Sequence, residues 1–318
     1  YIIPGLVDAH AHLSVSSPAG DDATPTKAVE ASAKAHLHAG VLAIREPGSP
    51  DYAAFDLHAE DGFPRIQTAG RFLAPHGKYF PGLAREIDEE DLPTVAAEEF
   101  KKSGFWAKVI GDFFDEKGNM VPNFRVETLK KAVEQVHKLG GRIATHVVSL
   151  EAIERAIEAG FDSIEHGTTM QESHIKEMVK KKIAFTPTMT IREGILEMWK
   201  GSGSPEEYQR IARAVKNQAN IVKKAFDAGV TVLAGTDAGM VEHGIVWQEI
   251  NNFIEAGVDP ILAMGAGSWT TRKYLGYQSI EEGADADIVV FDKDPRTYPD
   301  VLKIPTFIML DGHQIAAR

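Results

Sequence analysis

The 318-residue sequence predicts an α/β protein built as a (β/α)₈ TIM barrel. Short apolar segments alternate with longer amphipathic segments along most of the chain, and this alternation is typical of a parallel sheet. Eight such units favour a closed barrel over an open sheet. Hydrophobic residues make up 43% of the chain, which is enough to fill one large core.

The predicted barrel strands are 6–12, 41–46, 65–70, 105–110, 142–147, 163–166, 184–188 and 231–235. The helices between them are predicted at 26–39, 89–103, 126–139, 150–159, 171–181 and 205–228. The last of these has a start signal at Ser204-Pro205 and a stop signal at Gly229. Two further helices, 245–256 and 260–274, follow the eighth strand.

The pattern changes after Gly276, where turn residues separate the apolar segments 286–291 and 304–310. We therefore expect two regions. Residues 4–276 are expected to form the barrel, and residues 277–318 are expected to supply the C-terminal strands of a small β-sandwich whose N-terminal strands are absent from this sequence.

Composition excludes several classes of protein. The net charge of −12 leaves no basic surface for nucleic acid. No apolar segment reaches the roughly 18–20 residues that span a bilayer. The chain has no cysteine, and we expect a cytoplasmic protein. Because the chain begins at Tyr1 rather than at methionine, we also expect that other residues preceded it. Whether these residues included a signal peptide is left open. A homo-oligomer stays open too.

The first strong motif is Asp8-Ala9-His10-Ala11-His12 at the end of the first predicted strand. Alternate side chains of a strand point the same way, so His10 and His12 are expected to face the barrel axis together as metal ligands. His36 and His38 have the same spacing, but they lie in a predicted helix, where the two side chains diverge. We interpret that second pair as ordinary helix surface and helix end.

Three more candidate ligands, His146, His166 and Asp237, fall at the ends of predicted strands five, six and eight. The carboxyl ends of barrel strands form the catalytic face. Any one of them has a structural alternative, a hydrogen-bonded buried histidine or, for Asp237, a helix N-cap. Together they would be costly to bury without a metal ion.

Lys108 lies within the fourth predicted strand, where a lysine ordinarily extends its amine to solvent. If it instead points inward, the ammonium form is disfavoured beside metal cations. A neutral amine can capture carbon dioxide, and the resulting carbamate has oxygens that bridge two metal ions.

At these residues the sequence resembles the amidohydrolase superfamily. The segments 4–12, 163–167, 235–238 and 284–289 are similar to its signatures and occur in the family's order. The resemblance implies that His10, His12 and Asp237 bind one divalent ion, which we expect to be zinc. It also implies that His146 and His166 bind a second ion and that carboxylated Lys108 bridges both.

Because of the lysine in the fourth strand, this chain resembles the binuclear prolidase-like (Xaa-Pro dipeptidase) branch more than the mononuclear imidazolonepropionase branch. We therefore expect a hydrolase that cleaves an amide-type C–N bond of a dipeptide or N-acyl amino acid with a metal-activated hydroxide. Asp237, Lys108 and His166 are the expected catalytic residues. Asp237 would pass a proton from water to the departing nitrogen.

The predicted substrate contacts are His76, Tyr79 and Arg192, although a solvated loop arginine is an equal alternative for Arg192. Two alternatives to the predicted function also stay open. One is a mononuclear cyclic-amide hydrolase or aminohydrolase, and the other is a catalytically inactive binding protein. Substrate identity, metal identity and metal number are open at this stage.

Overall fold

The computed structural model describes residues 1–315. Its strands are β1 Ile2–Pro4, β2 Leu6–Asp8, β3 Val41–Glu46, β4 Arg65–Thr68, β5 Phe72–Pro75, β6 Ala84–Ile87, β7 Trp106–Ile110, β8 Asp112–Phe114, β9 Met120–Pro122, β10 Arg142–Val147, β11 Ser163–His166, β12 Ala184–Thr186, β13 Ile288–Val290, β14 Phe307–Leu310 and β15 His313–Ile315. Its α-helices are α1 Pro25–His38, α2 Leu92–Ser103, α3 Val126–Lys138, α4 Leu150–Ala159, α5 Glu172–Lys181, α6 Arg192–Ser202, α7 Pro205–Asp227, α8 Val246–Glu255, α9 Pro260–Ala266 and α10 Trp269–Leu275. Within this described range, no helix combines the length and apolar character that a membrane span requires.

The chain divides into two compact units. The first contains residues 1–46 and 53–67 together with the residues described from 233 onward, and the second contains residues 47–52 and 68–232. Each unit has its own sheets, and each contains some of the predicted site residues.

The second unit is built on a six-stranded sheet in the order β12-β11-β10-β7-β5-β6. All of its pairings are parallel, as the alternating sequence pattern predicts. Strands β10 and β11 have the predicted bounds. The structure thus confirms the α/β class and a parallel sheet, and closure into a complete barrel stays a prediction.

Helix termini in this unit follow capping rules. The Ser149 side chain accepts a hydrogen bond from the Ala152 N–H at the start of α4, and Ser204 caps Glu207 N–H in the same way at α7. Pro205 occupies the first turn of α7, where a missing N–H costs nothing. Each cap fixes the residue at which a helix begins after the preceding strand or loop.

The sequence prediction differs from the structure around the third strand. The predicted strand 65–70 ends at Thr68, and a separate strand, β5, begins at Phe72. Gly70 lies between them with φ of +70°, a conformation that few other residues adopt without strain. β5, and not β4, pairs with β7.

Strands β6, β8 and β9 and helix α6 of the second unit were not predicted. Strand β6 pairs in parallel with β5 at the edge of the six-stranded sheet. Strands β8 and β9 form an antiparallel hairpin directly after β7, and α6 precedes α7. Helix α6 is stabilised by burial of Trp199, which packs in a hydrophobic cluster with Met120 of the hairpin and Ile211 of α7.

The first unit contains a three-stranded sheet, β2-β3-β4, and a four-stranded antiparallel sheet, β1-β13-β14-β15. The opening apolar run is divided at Gly5, so β1 joins the antiparallel sheet while β2 pairs with β3. A side chain at Gly5 would lie 2.6 Å from Leu42 Cβ, which explains the glycine. The predicted strand 231–235 is not formed as an extended element, and only an isolated bridge between Val232 and Phe185 marks it.

Asp287 connects the antiparallel sheet to the rest of the first unit. Its carboxylate accepts hydrogen bonds from Arg65 Nε at 2.8 Å and from Arg272 Nη2 at 2.9 Å. The Asp311 N–H adds a third at 2.9 Å. Burial opposes ionisation of Asp287, but these hydrogen bonds outweigh it and lower the pKa below the usual value.

We expect Asp287→Ala to lower the free energy of unfolding at pH 7 by about 3–5 kcal/mol, because it leaves the buried Arg272 guanidinium without its carboxylate. The difference in the free energy of unfolding between the parent and Asp287→Ala should be complete above about pH 4 and should shrink as the pH falls further. The reason is that a carboxylate whose pKa is lowered by folding stabilises the folded state only while it is ionised. Urea titration at several pH values measures both. The control is Asp285→Ala at an exposed partner of Arg65, which should cost no more than about 1 kcal/mol. Equal losses in both variants would contradict the assignment.

Candidate metal centre

His10, His12 and Asp237 form a compact group in the first unit. The Nε2 atoms of His10 and His12 lie 3.2 Å apart. Asp237 Oδ1 lies 3.2 Å from His10 Nε2 and 3.1 Å from His12 Nε2. All three residues are buried. Two imidazoles and one carboxylate therefore direct one atom each at the same point.

The donor set and its spacing fit a divalent metal ion. Ligand atoms bonded to zinc at about 2.0–2.1 Å in a tetrahedral arrangement are about 3.3–3.4 Å apart, close to the separations found here. Nitrogen and carboxylate oxygen are the donors that zinc accepts in proteins without cysteine. The first unit thus contains a candidate metal-binding His-His-Asp group.

Backbone hydrogen bonds hold this group together. The Asp237 N–H donates to His10 O at 2.7 Å, and the His12 N–H donates to Ala238 O at 2.8 Å. Asp237 itself has φ of +59°, a strained conformation for a residue with a side chain. At Gly239 a Cβ would lie 2.9 Å from His12 O, so a larger residue there would force the two segments apart.

Asp8 was not predicted to have a role, but it binds both the segment that carries His10 and the segment that carries Asp237. Its carboxylate is fully buried and accepts the His10 N–H at 3.1 Å, the Thr236 N–H at 3.1 Å and the Thr236 hydroxyl at 2.6 Å. Burial raises the pKa of Asp8 to about 6, although these hydrogen bonds act in the opposite direction. The sequence signal was its position two residues before His10, although β2 ends at Asp8 and the predicted strand 6–12 does not continue to His10.

The interpretation of His36 as helix surface is wrong. Its relative exposure is 0%, and its ring packs edge-on against His243 with centroids 5.3 Å apart. His36 Nδ1 also lies 4.0 Å from Asp8 Oδ2. Burial lowers the pKa of His243 to about 4, so that imidazole is neutral at neutral pH. The helix turns His36 into the interior, which i,i+2 spacing alone does not reveal.

The second unit contains His146 and His166 at the ends of adjacent strands β10 and β11. Their rings lie 4.6 Å apart. His166 has φ of +65°, and its Nδ1 lies 2.8 Å from the Thr188 hydroxyl. A hydrogen bond at Nδ1 orients the ring so that Nε2 points elsewhere, as in many metal-ligating histidines.

Asp112 lies next to His146, with Oδ1 at 3.8 Å from His146 Nε2. It was not predicted. Its carboxylate accepts the N–H groups of Val148 and Ser149, the residues that follow β10. Burial raises the pKa of Asp112 to about 6 against the effect of those hydrogen bonds. Asp112 therefore fixes the turn that follows β10, the strand that contains His146.

Lys108 lies in the middle of β7, with Ala144 of β10 opposite it. Its relative exposure is 1%, so its amine does not extend to solvent as a strand lysine ordinarily would. A Cβ at Gly48 would lie 3.2 Å from Lys108 Cγ, which shows how closely the backbone passes its side chain.

The three predicted substrate contacts are placed differently. Tyr79 lies with its ring 5.9 Å from that of His146. The His76 side chain is 65% exposed and lies beside the carboxylates of Glu86 and Asp88, at 3.4 and 3.8 Å. Arg192 is half-buried at the first residue of α6.

Comparison with known proteins assigns the class. The Amidohydrolase family model matches residues 1–315. The chain belongs to this family, as its sequence motifs indicate, and it is a hydrolase of the amidohydrolase superfamily.

Individual relatives cover nearly the whole chain. An uncharacterized protein of Mycobacterium tuberculosis is 35% identical over 320 residues, which are 98% of this chain and 84% of that protein. Ochratoxinase from Aspergillus niger is 27% identical over 343 residues, covering 92% and 70% of the two chains. The fold is similar to that of a Xaa-Pro dipeptidase crystallised with methionine in its active site, with a TM-score of 0.84 and 24% identity over 99% of this chain and 86% of the other.

We expect Asp8→Ala to weaken metal binding about 10- to 100-fold, because the segments that carry His10 and Asp237 lose a shared hydrogen-bond acceptor. Equilibrium dialysis of the folded protein against zinc measures this. Asp8→Asn keeps the shape and one acceptor oxygen, so its loss should be smaller. Unchanged zinc affinity in a folded Asp8→Ala variant would refute the role.

Proposed function

We propose that this protein is a metal-dependent hydrolase that cleaves an amide-type C–N bond of a small substrate, a dipeptide or an N-acyl amino acid. The observation that carries the proposal is the mutual spacing of 3.1–3.2 Å among His10 Nε2, His12 Nε2 and Asp237 Oδ1. Membership of the amidohydrolase family supports the same chemistry. A prolidase-like dipeptidase is the specific form of the proposal.

We assign the metal ligands from the family motifs. His10, His12 and Asp237 would hold one divalent ion, with zinc proposed. His146 and His166 would hold a second, and a carboxylated Lys108 would contribute an oxygen to each. The burial of Lys108 and the adjacent rings of His146 and His166 support this second assignment. A divalent ion supplies Lewis acidity toward the carbonyl oxygen and lowers the pKa of water.

Asp237 is the proposed general base and acid. Its Oδ1 faces the two imidazoles, and we assign Oδ2 to the proton transfer. The carboxylate takes a proton from the attacking water and delivers it to the nitrogen that leaves. The backbone hydrogen bonds from Asp237 N–H to His10 O and from His12 N–H to Ala238 O hold the carboxylate in position while the proton moves.

Among the proposed substrate contacts, Tyr79 has the strongest support because its ring is adjacent to that of His146. Arg192 would pair with a substrate carboxylate, as the guanidinium group commonly does. His76 stays a prediction, since its ring lies beside Glu86 and Asp88.

The decisive experiment combines metal analysis with a hydrolysis screen of dipeptides, N-acyl amino acids, lactams and carbamates. We expect the purified protein to contain one to two equivalents of divalent metal and to hydrolyse dipeptides or N-acyl amino acids. Asp237→Asn should lower kcat at least about 10²-fold with a much smaller change in KM, because the amide preserves shape but cannot accept the proton from water and pass it on.

The matched control is Asp227→Asn on the exposed face of α7, where the carboxylate pairs only with the neighbouring Lys223 among the contacts described. It should retain full kcat. Near-normal kcat in a fully metallated Asp237→Asn variant would remove Asp237 from the chemistry. Turnover of lactams alone would favour a cyclic-amide hydrolase.

The carbamate at Lys108 has its own test. Protein equilibrated with ¹³C-bicarbonate should show a carbamate carbon resonance that is absent from Lys108→Ala. The variant should lose one metal equivalent and most of its activity, and short-chain carboxylic acids should restore part of both by replacing the bridging oxygens. An unmodified lysine with a single metal would favour a mononuclear site.

A further inference from the structure

An aromatic cluster lies beside His146 in the second unit. We define it as Tyr79, Phe80, Phe113 and Phe114. The Tyr79 ring is 5.1 Å from Phe80 and 5.7 Å from Phe113, and Phe80 is 5.3 Å from Phe113. Phe114 continues the row at 5.4 Å from Phe113. The ring of His146 is 5.9 Å from Tyr79, so the row begins at a proposed metal ligand.

Two separate segments supply these rings. Tyr79 and Phe80 belong to the loop after β5, and Phe113 and Phe114 belong to β8 of the unpredicted hairpin. Each segment is anchored by polar contacts. The Asn123 side chain donates to Lys78 O at 3.1 Å and to Ile110 O at 3.0 Å, which ties the loop to the hairpin. The cluster is therefore a fixed surface.

Exposure separates this cluster from ordinary core. Phe72 and Trp199, which flank it, are fully buried. Phe80 is 36% exposed, and Tyr79, Phe113 and Phe114 are half-buried. Rings packed only to stabilise the loops would gain most by complete burial. Rings held edge to face with part of their surface open can accept one more ring in the same geometry.

We propose that the aromatic cluster is the subsite for an aromatic substituent of the substrate, adjacent to the scissile bond. The proposal rests on the proposed function and narrows it to amides of aromatic amino acids or of aryl-bearing acyl groups. The four side chains carry no formal charge, so an acidic or basic substituent would find no oppositely charged side chain among them. The Tyr79 ring lies 5.9 Å from the ring of His146, a proposed metal ligand, so an aromatic substituent bound at the cluster would lie close to the bond to be cleaved.

The test is isothermal titration of the metallated Asp237→Asn variant, in which turnover is slow, with N-acetyl-L-phenylalanine and N-acetyl-L-alanine. We expect the phenylalanine ligand to bind at least about tenfold more tightly. Phe113→Leu and Phe80→Leu in that background should each weaken binding of N-acetyl-L-phenylalanine about 3- to 10-fold. The affinity for N-acetyl-L-alanine should change by less than about twofold. Leucine keeps the residue apolar, and circular dichroism checks that each variant is folded.

The matched control is Phe63→Leu, a half-buried phenylalanine of the first unit that packs under Lys34. It should change neither affinity. The subsite proposal would be overturned if N-acetyl-L-phenylalanine bound less than about threefold more tightly than N-acetyl-L-alanine, or if both cluster substitutions left the preference unchanged. Hydrolysis without aromatic preference would overturn the subsite alone. Aromatic binding that depends on Phe113, without hydrolysis of any amide, would instead overturn the proposed function and leave the subsite standing.

Discussion

The first unit depends on a short backbone bridge between residues 10–12 and 237–238. Its two hydrogen bonds fix the main chain on either side of the proposed ligand atoms, so the side chains need little further restraint. The bridge requires Asp237 in a left-handed conformation and a glycine at position 239. Asp8 satisfies N–H groups on both sides of it. Backbone strain and a buried carboxylate are thus the cost of bringing three donors together.

Local periodicity was sufficient to predict most of the parallel sheet and its helices. Strands β3, β10 and β11 and helix α4 have the bounds expected from apolar pattern and caps. The boundary between β4 and β5 was missed because both strands are only four residues long and only Ala69, Gly70 and Arg71 separate them. The eighth strand was overpredicted, since residues 231–235 form only an isolated bridge at Val232 in place of a strand.

The candidate site was predictable where side-chain chemistry is concentrated in a motif. His10, His12 and Asp237 converge as the sequence indicates. Asp8 and Asp112, which act through backbone N–H groups, were not predicted, because most of the groups that they bind lie far away in the sequence. The burial of His36 was missed for a related reason, because the face of a helix that is buried depends on packing between distant segments. The hairpin turn at Asp115–Asn119 did carry a signal, in the form of charged and glycine residues between apolar pairs.

The hairpin β8–β9 has an evolutionary consequence. It is an excursion between β7 and α3 whose base is fastened by Asp112 and Asn123, while its tip closes through the turn around Asp115. Insertions or replacements at such a tip leave the parallel strands and their ligands unaltered. Selection can therefore remodel the tip of the hairpin as an exchangeable module while the strands that contain Lys108 and His146 stay unchanged.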